Sequence, residues 1–210
     1  MPDIYIDDVI GLGFLEDGVT AKGIRSQLAD LKGKPLDVYI NSPGGDVFEG
    51  VAIKTLLDRH DAEVNVFVDG LCASAATFPA MAGKTVRMAA GTKFMIHDPW
   101  TITIGNKVDH AKRVDLLEQT SANIAEMYAT RTGKEIKEIR EAMAAETWLT
   151  PAEAVEFGFA DEVIDVQAKV YSIPSEFGYK NAPKINQKER PITVAAMQRA
   201  IDLTRAGLSA

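Results

Sequence analysis

Ser74 follows Gly70-Leu71-Cys72-Ala73 and precedes Ala75-Ala76, so a hydroxyl stands where an extended segment enters a run of small residues. At such an entry the next backbone N–H, that of Ala75, has no helical partner and can face a reacting carbonyl. The same serine can also serve as a packing residue or a helix cap. Cys72 is a nucleophile by type, but it falls two residues before that run, and a lone cysteine among apolar neighbours is ordinarily a buried packing group. Asn41-Ser42-Pro43-Gly44-Gly45-Asp46 sets two glycines between a strand-like and a helix-like segment. With no side chain to block approach, their N–H groups can hold a developing oxyanion, or the six residues can be a plain turn with Asp46 as helix cap.

A base and an acid must flank the nucleophile. His97 ends the apolar run Phe94-Met95-Ile96, and a strand end is where catalytic groups commonly sit. His60, closing a helix, and His110, on a charged helical face, read as a capping and a solvated residue. Two carboxylates compete to orient the His97 ring: Asp98, next in sequence, and Glu146 in Ala145-Glu146-Thr147-Trp148. Adjacent side chains of an extended segment point to opposite faces, which counts against Asp98. Glu146 occupies a corner between one helix end and the start of another.

The elements that must carry these groups follow from periodicity. Alternation over Leu36 to Ile40 and at Val64, Val66 and Val68 predicts strands, each running into a glycine-containing loop, Asn41 to Gly45 and Asp69 to Cys72. Helices are predicted from Thr20 to Leu31, over 46–59 and over 74–82, with a further strand at 93–97. Val114, Leu117, Ser121, Ile124 and Tyr128 form one stripe of a long helix between Gly105 and Gly133. That stripe serves either packing within the domain or a contact between subunits. A helix from Lys134 to about Ala145 follows. Thr150-Pro151-Ala152-Glu153 then starts a capped helix that Gly158 ends, and Val163 to Val166 is a last strand. Strand-loop-helix units in succession predict an α/β architecture. Residues 1–166 form one domain. Pro174, Pro183 and Pro191 mark 167–191 as linker, and Val194, Met197 and Ile201 predict a helix over 192–206.

Composition narrows the function. A net charge of -7 and a pI near 5.0 argue against nucleic-acid binding, which needs a positive face. There is no apolar run of about eighteen residues, and Met1-Pro2-Asp3 lacks the basic start of a secretory signal. A cytoplasmic protein is expected. One cysteine precludes an internal disulfide, and three scattered histidines give no metal-ligand spacing, so neither metal nor cofactor is expected.

Taken in order, the Asn-Ser-Pro-Gly-Gly turn, Gly70 to Ala76, Met95-Ile96-His97-Asp98-Pro99, and Trp148 to Asp161 with Glu153-Ala154 and Gly158 resemble the Clp protease proteolytic subunit, from about Ile4 to Val166. Asp69 to Ala76, His97-Asp98-Pro99-Trp100 and Glu146-Thr147-Trp148 are similar to the phage and prophage branch described as head maturation proteases. The resemblance implies the spiral of β-β-α units shared with crotonases, with 106–131 as a protruding handle helix. It implies Ser74 as nucleophile, His97 as general base and then acid, and the N–H groups of Gly45 and Ala75 as oxyanion hole. Glu146 falls where the family usually carries an aspartate, so its longer side chain requires a backbone set back correspondingly. The activity implied is serine endopeptidase cleavage of unfolded or extended polypeptides, with phage capsid maturation as one setting. The partners implied are polypeptide substrates, further copies of the chain in a heptameric ring or double ring, and a Clp-type ATPase or phage capsid and portal proteins. Neither nucleic acid nor membrane is among them. Two alternatives remain at this point: a crotonase-like acyl-CoA enzyme using the paired N–H groups alone, and a catalytically degenerate ring protein acting in assembly.

Overall fold

Apolar residues at every second position of Leu36–Ser42 and Val64–Val68 make the central strands of a parallel sheet, with Leu36, Val38, Ile40, Val66 and Val68 fully buried. The computed structural model describes residues 2–11, 18–168 and 177–183. In chain order the elements are β1 (Asp3–Ile6), α1 (Ala21–Ala29), β2 (Leu36–Ser42), α2 (Val47–Asp58), β3 (Val64–Ala73), a 3-10 turn (Ser74–Ala76), α3 (Thr77–Ala80), β4 (Thr85–Ala90) and β5 (Lys93–Ile96). They continue with α4 (Lys107–Thr132), α5 (Ile136–Ala144), β6 (Thr147–Leu149), α6 (Pro151–Phe157) and β7 (Glu162–Gln167). The strand order is β1-β2-β3-β4-β7, with β5 branching from β3 and β6 antiparallel to β5.

The branch at β3 positions the site. Asn65 to Val68 pair with β4, whereas Leu71 to Ala73 pair with β5. Ile40 faces Val68 and Ser42 faces Cys72, so two steps along β2 span four along β3. Gly70 lies in this bulge, a common place for a strand glycine. This corrects the loop predicted at Asp69 to Cys72: the strand continues to Ala73 because β5 supplies a new partner. Across the bulge, the Asn41 side chain accepts the Leu71 N–H at 3.1 Å and the Ser42 hydroxyl accepts the Gly44 N–H at 3.1 Å.

Helix ends follow local chemistry. Asp46 caps α2 by accepting the Glu49 N–H, and Thr150 and Glu153 form a reciprocal capping box on α6, which ends at left-handed Gly158. Asn106 and Asp109 form a second box on α4, which ends at left-handed Gly133. Only the second half of α4 is seated in the core, through Ser121, Ile124, Ala125 and Tyr128, while Val108, Val114 and Leu116 are exposed. The predicted stripe is therefore split between a packed half and an open half. The predicted 74–82 helix is a 3-10 turn followed by one turn of α-helix. Strands β1, β4 and β6 add to those predicted, and the predicted helix over 192–206 lies outside the described residues.

Candidate active site

β3 ends at Ala73 in extended conformation, and Ser74 turns sharply out of it with φ of 54°. Left-handed backbone at a residue bearing a Cβ costs about 1–2 kcal/mol. Among the described residues, Ser74 and Glu146 are the non-glycine residues with positive φ. Two such corners lie beside one imidazole, and backbone strain of this kind clusters at functional sites. No side chain caps the 3-10 turn that follows Ser74.

Gly44 lies directly against this corner, and Gly45 against Ile10. A Cβ on Gly44 would stand 2.6 Å from the Ala73 carbonyl oxygen and 2.8 Å from the Ser74 Cβ, and one on Gly45 would stand 2.2 Å from the Ile10 oxygen. Their φ values of 95° and 146° are likewise open to glycine. Ile10 donates to the Gly44 carbonyl at 2.8 Å and accepts from Asp46 N–H at 2.9 Å. In a parallel bridge of this kind the residue between, Gly45, directs its own N–H away from Ile10.

His97 follows the last residue of β5, and its Nε2 lies 2.7 Å from the Ser74 hydroxyl oxygen. Burial lowers the imidazole pKa, against the opposing charges of Glu146 and Asp98. The ring is thus neutral near neutral pH and able to accept a proton. The Ser74 carbonyl is also held, by the Thr77 hydroxyl at 2.6 Å.

The two candidate acids part company. Asp98 accepts a 2.5 Å hydrogen bond from Ser121 on α4, so its carboxylate is tied to that helix. Glu146, like Asp98, lines the cavity that holds His97. Among the described residues, its hydrogen bonds come from the Trp148 indole N–H at 3.0 Å, the Lys180 N–H at 2.8 Å and the Asn181 N–H at 2.7 Å. Burial pushes its carboxyl up, but these donors and nearby His97 outweigh that and hold it below the usual range. Its influence on His97 is electrostatic. Cys72 is fully buried with its thiol raised by burial, donating to the Ala76 carbonyl. His60 places Nε2 2.8 Å from the Lys34 carbonyl, so it braces a loop in place of the predicted helix cap, and His110 is exposed on α4.

One group had no counterpart in the sequence reading. Tyr179, from the stretch read as linker, sets its ring edge-on to His97 with centroids 5.3 Å apart and edge-on to Trp148 at 5.6 Å. Its hydroxyl donates to the Pro43 carbonyl. It packs with Ala182 and Trp148 on the buried cluster Leu71, Ala73 and Met95. Phe177 and Tyr179, two aromatic residues within three positions of a proline-marked segment, were the available signal, because a solvated linker has no need of them.

The site geometry coincides with a match along the chain. The Clp protease family model matches residues 7–167. The ATP-dependent Clp protease proteolytic subunit 1 of Protochlamydia amoebophila is 32% identical over 166 residues, covering 77% of this chain and 80% of the relative. The chain belongs to the Clp protease family. The ATP-dependent Clp protease proteolytic subunit of Bdellovibrio bacteriovorus is also 32% identical, over 179 residues, covering 78% of this chain and 83% of its own length. A ClpP1 point mutant from Listeria monocytogenes shares the fold, with a TM-score of 0.68 at 22% identity, covering 78% of this chain and 91% of that one. Membership makes the chain a serine-type peptidase. Among the described residues no group of His, Cys, Asp or Glu side chains is arranged to hold a metal ion, and no helix is long and apolar enough to cross a membrane.

Proposed function

We propose that this Clp protease family member cleaves peptide bonds through Ser74, His97 and Glu146, with the N–H groups of Gly45 and Ala75 as oxyanion hole. The observation that carries the reading is the 2.7 Å contact between the Ser74 hydroxyl and His97 Nε2. As the hydroxyl oxygen attacks a peptide carbonyl, its proton passes to Nε2, and the carbonyl oxygen gains negative charge against the two backbone donors. Collapse releases the amine, which takes the proton back from His97, and water then hydrolyses the acyl-serine by the same route. Glu146 stabilises the transient imidazolium by its charge. An acyl-CoA enzyme would need the two N–H donors alone, so the Ser74–His97 pair favours peptide hydrolysis.

The exposed residues Val108, Val114 and Leu116 on α4 support assembly of further copies through this helix, into a heptameric ring or double ring. Access to an enclosed site would limit substrates to unfolded or extended chains. The relatives are named as ATP-dependent subunits, which supports a Clp-type ATPase as partner. The motifs shared with head maturation proteases make phage capsid and portal proteins the alternative partners, in host cytoplasm. Residues 1–166 constitute the peptidase domain in this reading, and 167–210 an extension. A fluorophosphonate probe should label Ser74 of the assembled protein, and Ser74→Ala should abolish peptide cleavage while leaving assembly intact. Cleavage by the alanine variant would remove Ser74 from the role.

A further inference from the structure

A peptide that reaches Ser74 must pass between the Gly44-Gly45 turn and the His97 ring, because its carbonyl oxygen has to meet the backbone donors on one side while the imidazole stays on the other. Tyr179 spans this passage. Its hydroxyl is bonded to the Pro43 carbonyl at one wall, and its ring lies edge-on to His97 at the other. Burial raises the phenol pKa, partly offset by the neighbouring Ser74 hydroxyl. The residues that follow grip the acid. Lys180 N–H donates to one Glu146 oxygen and Asn181 N–H to the other, while the Asn181 side chain donates to the Ala145 carbonyl at 2.9 Å. Phe177 stacks on Tyr179 with centroids 5.8 Å apart.

We propose that Phe177 to Ala182 is an internal plug that occupies the catalytic cleft in place of substrate and must withdraw before cleavage. This rests on the assignment of Ser74 as nucleophile. The two effects act in the same direction, since the tyrosine excludes the substrate carbonyl and the paired amides bind both oxygens of Glu146. An internal ligand of this kind lowers apparent reactivity by the fraction of molecules in which the cleft is open. Among the described residues, four hydrogen bonds and the ring contacts with His97 and Trp148 hold the plug, and an incoming chain can replace them with contacts of its own.

The test uses the full chain and the rate of Ser74 labelling by a fluorophosphonate, alongside hydrolysis of a fluorogenic peptide. Tyr179→Ala should accelerate both by about tenfold or more, the factor expected when nine-tenths of the molecules are closed. Tyr179→Phe, which keeps the ring and loses the bond to Pro43, should give a smaller increase. Asn181→Pro removes the amide donor to Glu146 and should accelerate both reactions independently of the ring, covering the case in which the alanine variant folds poorly. A synthetic peptide spanning Phe177 to Pro183 should slow labelling of the Tyr179→Ala protein, and the same peptide with alanine for tyrosine should not. Labelling of folded variants at the wild-type rate or below overturns the plug while leaving the nucleophile in place. No labelling of wild type or variants overturns both.

Discussion

The Tyr128 hydroxyl lies 2.6 Å from that of Thr77, which in turn donates to the Ser74 carbonyl at 2.6 Å. Thr77 has one proton and spends it on Ser74, so Tyr128 is the donor to Thr77. The long helix α4 is thereby joined to the backbone of Ser74 through two hydroxyls, inside an aromatic cluster of Phe78, Tyr128 and Phe159.

Tyr128→Phe keeps the ring and deletes this donor. It should cost about 1 kcal/mol, the usual net value of a buried hydrogen bond, seen as a lower denaturant midpoint at unchanged slope. A midpoint equal to wild type would mean that the link from α4 to Ser74 carries no stability.

Gly44→Ala tests the wall behind Ser74. The added methyl meets the Ala73 carbonyl and the Ser74 Cβ inside contact distance, so the corner must shift. Labelling of Ser74 should fall by roughly two orders of magnitude, as expected for misplacement of a reacting group by an ångström or so. Retention of wild-type labelling would show that the turn yields without disturbing Ser74.

Glu146→Gln separates charge from shape. The Glu146 carboxylate raises the His97 pKa by favouring imidazolium, so its neutral replacement lowers that pKa. Activity requires neutral His97 and rises with pH through that value. The acid limb of the rate profile should therefore move to lower pH, while the plateau falls by roughly two to four orders of magnitude through loss of imidazolium stabilisation. An unmoved acid limb would place another acid behind His97.

Val114→Asp with Leu116→Asp alters exposed positions on the outer half of α4. The double variant should melt within about 0.5 kcal/mol of wild type at the level of the subunit, yet sediment as small species. Intact large assemblies would assign this surface to another use.

Much of this was readable from sequence where the cause is local. Asp46, Thr150 with Glu153, and the glycines at 133 and 158 mark helix ends through bonds made within a few residues. Strand β6 was hidden because its three residues acquire strand character from β5 across the chain, with Trp148 opposite Met95. Gly70 misled for the same reason: glycine reads as a loop until the switch of partner from β4 to β5 is seen. Ser74 and His97 were each ambiguous by their flanks and stood out only as a set with the double-glycine turn and the Glu146 corner. Glu146 was preferred to Asp98 on strand geometry and on its corner between two helices, and Asp98 accepts a hydrogen bond from Ser121. The donors of Lys180 and Asn181 are main-chain groups, which no residue type encodes, and the docking of Tyr179 depends on a cleft assembled from distant segments.

The left-handed backbone at Ser74 also bears on inheritance. A glycine there would relieve the conformational cost and lose the hydroxyl in one substitution, so the inactive chain would fold at least as readily as the active one. Such subunits would accumulate, co-assemble and take up places beside functional copies. A chain that lost the proposed nucleophile by that route would dilute activity in proportion to its share of each mixed assembly.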